Sequence, residues 1–179
     1  MQTNLNRLRR LGLVSVSLIE GYAIGGGAEV STSTDFRIMT NTEKSYIRFI
    51  HHRLSLCPGW GGGSRLVQII GRKEALKVML QAEKLPAPKA YELGIVDEII
   101  AGDGIKAAKE FLDVYTDYNV NSTRAIKSLV ASGRHYCYCD CRLRGLHYHS
   151  RAAGERAVHF QGSVQFAFES ARDGEYGYR

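Results

Sequence analysis

Between Leu11 and Ile19 the chain alternates Leu, Val and Ile with Ser15 and Ser17, the period of two that puts successive side chains on opposite faces of a β-strand. A glycine-rich stretch, Gly21 to Glu29, follows and runs into a short segment ending near Asp35, which predicts strand, glycine turn and helix start in that order. Asp35 to Met39 predicts a short buried strand, Thr40 to Ser45 a polar loop, and Tyr46 to Ile50 another strand with His51 and His52 directly after it. Beyond a second glycine-rich turn, Cys57 to Gly63, the period changes. Leu66, Val67 and Ile70 have helical spacing across Ser64 to Ile70, Gly71 is the stop, and Ala75, Leu76, Val78, Met79 and Leu80 mark a core helix from Lys73 to Gln81. Pro86 and Pro88 open a short helix, Lys89 to Leu93, with Gly94 just past its end, and Ile95 to Ile100 predicts a strand. Asp103 caps a predicted helix from Gly104 to Tyr115, and Ser122 one from Thr123 to Ala131. Met1 to Arg10 reads as the end of a helix entering the first strand, and neither an internal repeat nor a low-complexity linker interrupts the order.

Composition narrows the class. With 179 residues, 44% hydrophobic and 23% charged, the chain is long enough for one soluble domain with a sizeable core. A net charge of +6 suits an acidic ligand such as a nucleotide-bearing thioester; no stripe of Arg and Lys interleaved with aromatics is present, which argues against nucleic acid. Arg7, Arg9 and Arg10 before the apolar run imitate a secretory leader, but Ser15 and Ser17 alternate as a strand would, and no run approaches a membrane span. Four cysteines, three of them at Cys137, Cys139 and Cys141, make no disulfide framework, so a reducing compartment is expected.

Gly25, Gly26 and Gly27 are where the chemistry concentrates. Consecutive glycines cost backbone entropy, and a chain that keeps them needs positive φ there or a close approach of another group to the backbone. At a helix start their N–H groups lack intrahelical partners and the macrodipole favours an anion, with Glu29 in the first turn beside it. The residues alone leave a second reading open, a tight turn followed by a solvated Glu that suits the dipole.

Gly-Tyr-Ala-Ile-Gly-Gly-Gly-Ala-Glu, with Asp35 closing the next segment, resembles the signature of the crotonase (enoyl-CoA hydratase/isomerase) superfamily. The resemblance implies an α/β fold, a partial ββα spiral core over residues 1–134 followed by C-terminal helices, with a divergent tail over 135–179. It implies an acyl-CoA thioester as partner and a homo-oligomer built on trimers, in the cytosol rather than the mitochondrion. It assigns Gly26 as one of two N–H donors that hold the thioester oxygen as enolate charge develops, and Glu29 as a carboxylate of the pocket. In the family an N-terminal half, including the loop with the other donor, comes before this point, and it is expected to be missing here. An exposed apolar face on the Leu11 to Ile19 strand is the corollary.

His51 chooses among the family's reactions. Hydratases of the superfamily carry a second Glu at this place, and Tyr46 to Leu54 contains no acid. A His tolerates a substrate that bears its own carboxylate, which a second Glu would repel. With Ile47 to His51, Pro58 to Gly62, Arg65 to Val67 and Ile69 to Gly71, the chain is similar to the carboxy-lyases of the superfamily. That implies decarboxylation of short branched malonyl-CoA thioesters, ethylmalonyl-CoA and more weakly methylmalonyl-CoA, through a thioester enolate. No cofactor is expected, since the thioester itself stabilises the carbanion. Gly26, Glu29 and His51 are the catalytic candidates; Gly25, Trp60 and Gly61 are the substrate-binding ones, with Trp60 walling the acyl pocket. From the residues alone, His51 also fits a surface or satisfied core His, and Trp60 a core aromatic. Two other functions stay open: hydration or isomerisation on Glu29 alone, and a truncated, catalytically silent subunit that binds acyl-CoA or partners. Past Arg134, where the family has helices, His135 to Cys141 has period two and His147 and His149 repeat it. Cys and His at alternate positions share a face, but zinc ligand pairs are usually spaced more widely, and no metal is assigned.

Overall fold

The computed structural model describes residues 1–132 and the backbone of a strand at 164–169. Cys137, Cys139, Cys141, His147 and His149 lie outside the described residues. Helix α1, Gln2–Arg9, leads into β1, Val14–Ile19. The predicted strand begins three residues late because Arg10 and Leu11 donate back to the carbonyls of Arg7 and Leu8, which closes α1 first. Then come β2 (Tyr22–Ile24), α2 (Gly26–Ser31), β3 (Phe36–Thr40), β4 (Tyr46–Arg48) and a single 3-10 turn, Ile50–Leu54. After it lie α3 (Gly62–Gln81), β5 (Leu85–Pro86), α4 (Ala87–Glu92), β6 (Glu98–Ile100), α5 (Gly104–Thr116), α6 (Val120–Ser132) and β7 (Val164–Glu169).

Strand, strand, helix is said twice, as β1-β2-α2 and as β3-β4-α3. The first strands of the two units pair in parallel, Val16 opposite Phe36, and so do the second strands, Tyr22 opposite Tyr46. The chain therefore advances by one strand in each of two sheets per turn, a ββα spiral. Its sheets run β6-β3-β1-β7 and β2-β4-β5. The sequence carries no repeat because the two turns share backbone geometry and not side chains.

Between the sheets and helices sits the larger core, with Ile19, Met39, Ile47, Phe49, Leu66 and Ile95 all at most 1% exposed. A second cluster forms under α5, whose Gly104, Ala108, Leu112 and Thr116, four residues apart, make one buried stripe against Val16, Leu18 and Ile38. Asp103 accepts from the N–H groups of Ile105 and Lys106 and is the expected cap. Gly71, at φ 78° and ψ 164°, breaks α3 where the stop is expected, and Gly94, at φ 72°, ends α4.

Four expectations change. Tyr22–Ile24 is a strand and not part of a turn, since its backbone pairs with β4. Ile95 and Val96 are core residues before β6, because both N–H groups return to the Ala90 carbonyl at the end of α4. Asn119, not Ser122, caps α6: its Oδ1 accepts from the N–H groups of Asn121 and Ser122. No apolar face of β1 is bare, for Val16, Leu18 and Ile19 are 0–2% exposed and β7 pairs antiparallel along its free edge from Val14 to Ile19. Ser15 and Ser17 are buried as well: Ser15 donates to Asp35 and Ser17 Oγ lies 2.8 Å from Thr34 Oγ1. Both faces of β1 are thus inside the molecule.

Candidate active site

The site is built where α2 starts, across from the loop that precedes α3. Gly25 is at φ 53° and donates its N–H to the Arg48 carbonyl at 2.9 Å, which turns the chain from β2 into α2. That N–H is spent on the turn. The N–H groups of Gly26, Gly27 and Ala28, in the first turn of α2, have no carbonyl one turn earlier to accept them. Over Gly26 lies the indole of Trp60: a Cβ placed there would come 2.4 Å from Cζ3 and 2.7 Å from Cη2. Glycine at this position is a matter of close approach.

Glu29 is 2% exposed, which removes the solvated reading of this carboxylate. Its Oε2 accepts from the N–H of Trp60 at 2.7 Å and of Gly62 at 2.9 Å, and its Oε1 stands 3.1 Å from Nε2 of His51. Both lone pairs of Oε2 are thus used and one of Oε1. The loop is moulded to this side chain. A Cβ on Gly62 would lie 2.5 Å from Glu29 Cγ and 2.7 Å from its Cα.

The sequence places His51 at a strand end; the structure places it in the 3-10 turn, which swings the ring back onto α2. Nε2 carries the hydrogen, because its neighbour is a carboxylate oxygen. Nδ1 is buried with no partner among the described residues. A buried polar atom without a partner costs about 1–3 kcal/mol, and such atoms gather where a ligand completes them.

Beneath the loop is Arg65, which belongs to a motif quoted for the resemblance but was assigned no role in the site. It is 3% exposed, donates from Nε to Thr32 Oγ1 at 2.9 Å and from Nη2 to the carbonyls of Glu29 at 3.0 Å and Trp60 at 2.9 Å. Burial holds its pKa below the usual arginine value, with Arg9 pulling the same way and Glu29 opposing. Gly61, at φ 81°, is the N-cap of α3, and a Cβ there would meet Arg65 Nη1 at 2.9 Å. Gly26, Glu29, His51 and Trp60 are thus brought together, while Gly25 and Gly61 shape the backbone on either side. Sequence spacing offered no sign of Thr32, Gly62 or Arg65, whose bonds to the site join residues 33 and 36 apart.

A cavity of about 600 Å³ lies apart from this cluster, lined by Val14, Phe36, Tyr115, Ile126 and Val130 with the Asp35–Lys127 ion pair at its wall. None of the four clustered residues lines it. Among the described residues no group of His, Cys, Asp and Glu could hold a metal ion, and no helix is long and apolar enough to cross a membrane.

Known proteins share this arrangement of elements. A putative enoyl-CoA hydratase from Thermobifida fusca YX, solved in complex with acetoacetyl-CoA, superposes with a TM-score of 0.67 at 27% identity over 80% of this chain and 56% of that one. Ethylmalonyl-CoA decarboxylase of Xenopus laevis is 46% identical over 137 residues, 75% of this chain and 45% of the relative. The Homo sapiens protein of the same name is 43% identical over 138 residues, 75% of this chain and 44% of the relative. The chain spans about half the length of the curated relatives it matches. The sequence pattern of enoyl-CoA hydratase/isomerase matches residues 1–151. A spiral of ββα units, a glycine-started helix bearing a buried Glu, and this match together place the chain in the enoyl-CoA hydratase/isomerase family.

Proposed function

We propose that this chain carries the decarboxylating half-site of a short branched malonyl-CoA thioester carboxy-lyase, with ethylmalonyl-CoA the favoured substrate. The observation that carries the proposal is His51: its Nε2 is held by Glu29, and its Nδ1 is buried with no partner among the described residues. When it takes a second proton as the substrate carboxylate arrives, His51 donates at both nitrogens, to Glu29 Oε1 through Nε2 and to that carboxylate through Nδ1. Glu29 fixes the ring's orientation and offsets its positive charge. That is a positioning role, since both lone pairs of Oε2 and one of Oε1 are already in use.

This chain supplies one of the two oxyanion donors that the reaction uses. The bond between the substrate's carboxylate carbon and its α-carbon breaks, its electron pair moves onto the α-carbon and the thioester oxygen, and CO2 leaves. The Gly26 N–H, at the positive end of α2, meets the oxygen as it gains charge, an interaction often worth about 3 kcal/mol of barrier. The Nδ1–H that held the carboxylate is now beside the α-carbon and protonates it, giving the acyl-CoA. The thioester is the electron sink, and the step draws on no cofactor. Trp60, standing over Gly26, bounds the space for the ethyl branch. The names of the Xenopus and human relatives support this choice of substrate.

A second reading is that the chain binds acyl-CoA without turning it over. The test is to incubate the 179-residue chain with ethylmalonyl-CoA and, separately, with crotonyl-CoA, and to follow both by mass. Butyryl-CoA from the first and no hydrated product from the second is the expected result. Faster hydration of crotonyl-CoA would overturn the decarboxylase in favour of a hydratase. Binding without either product would favour the silent subunit.

A further inference from the structure

We propose that Arg65 is the positioning residue of this site, tying the loop that carries Trp60 to α2 and so setting how the indole stands over Gly26. The inference rests on the functional reading above only for its consequence in catalysis; its structural part stands alone. One buried guanidinium, carried on α3, joins α2 to the loop. Nη2 donates to the carbonyl of Glu29 on α2 and to that of Trp60 on the loop, and Nε donates to the hydroxyl of Thr32 at the end of α2. Thr32 Oγ1 in turn donates to the Glu29 carbonyl at 2.6 Å, so the guanidinium and the hydroxyl share one acceptor. From the peptides on either side of the Trp60 carbonyl, the N–H groups of Trp60 and Gly62 hold Glu29 Oε2. Residue 60 is therefore fixed at both its N–H and its carbonyl to groups belonging to Glu29 or Arg65.

Trp60 has no other anchor among the hydrogen bonds of the described residues, and its side chain is 37% exposed. The indole stays over Gly26 because the backbone beneath it is clamped. The clamp needs an arginine. A lysine ammonium on the same stem is a point donor without the planar fork, and it cannot span Thr32 Oγ1 and two carbonyls in this geometry. Burying the guanidinium disfavours its charge, which lowers its pKa, and the site keeps it for the three acceptors it satisfies.

The chain has a single tryptophan, so its fluorescence reports Trp60 alone. The experiment compares acrylamide quenching of the full chain with that of Arg65→Lys and Thr32→Val, each checked by far-UV circular dichroism and thermal melting. Arg65→Lys should raise the quenching constant about twofold or more with the helical spectrum retained, and Thr32→Val, which loses one of three anchors, should fall between. Quenching unchanged in Arg65→Lys would overturn the proposal. Should Arg65→Lys fail to fold, Thr32→Val decides: a raised constant supports the clamp and an unchanged one refutes it. Where the chain releases CO2, Arg65→Lys should lower kcat, counted per folded molecule from the circular dichroism amplitude, by about tenfold with KM within about twofold. A raised quenching constant in a chain that releases no CO2 upholds the clamp and sinks the decarboxylase, so the two failures read differently.

Discussion

Replacing Glu29 by Gln keeps the shape of the side chain and removes its charge. The Gln oxygen must take the place of Oε2, because the N–H groups of Trp60 and Gly62 both point there at 2.7 and 2.9 Å. The amide NH2 is then forced toward His51 Nε2, 3.1 Å from the present Oε1, so two donors face each other. His51 can resolve this only by moving its hydrogen to Nδ1 and accepting at Nε2. Three charge-assisted hydrogen bonds become neutral, a loss of about 1 kcal/mol each and about 2–4 kcal/mol together. Glu29 is buried, so solvent does not screen the loss. Against a typical total of about 5–15 kcal/mol this is readily seen in urea unfolding. Nitrogen-15 chemical shifts of the imidazole give the tautomer directly. Glu29→Gln should unfold at lower urea with an unchanged slope and carry its His51 hydrogen on Nδ1. A variant as stable as the parent, with Nε2 still protonated, would refute the geometry described for this pair.

Other substitutions separate the forces at work. Asn119→Ala should destabilise by about 1 kcal/mol through loss of the α6 cap, while Ser122→Ala stays within about 0.5 kcal/mol; chemical unfolding distinguishes the two. Gly62→Ala pushes a methyl against Glu29 Cα, which is backbone and cannot swing aside, and should cost about 1–3 kcal/mol by the same measurement. Arg37→Met leaves the carbonyls of Thr34, Asp35 and Ile95 without their guanidinium donor and removes the ion pair to the partly exposed Asp97, and a loss of about 2–4 kcal/mol in thermal or urea unfolding is expected.

Periodicity made much of the fold legible. β1, β3 and the two halves of α3 each run long enough to repeat and were in the pattern of apolar positions, while α5 was marked by its Asp103 cap. β2 and β5 were hidden because three and two residues cannot show a period, and they sit inside a glycine motif and a proline pair. Their pairing with β4 is decided by the spiral and not by local preference. In the site, Gly26 and Glu29 were legible because one helix start holds both. The contact between His51 and Glu29 was not: it depends on the 3-10 turn, whose residues carry no helical period. Arg65 stood in the motif shared with the carboxy-lyases but was given no role there. Only the fold turns it inward, onto three oxygens that local sequence does not advertise.

His51→Glu, compared with the parent chain, tests the central claim most directly. A carboxylate in place of the imidazolium would face the substrate's own carboxylate, and two like charges about 5 Å apart at an effective dielectric near 20 repel by about 3 kcal/mol. The rate of CO2 release from ethylmalonyl-CoA below saturation should therefore fall on the order of 100-fold, while the Kd for butyryl-CoA, which has no carboxylate, stays within about twofold. A rate within about threefold of the parent, or a loss of butyryl-CoA binding in step with the loss of turnover, would contradict the role assigned to His51.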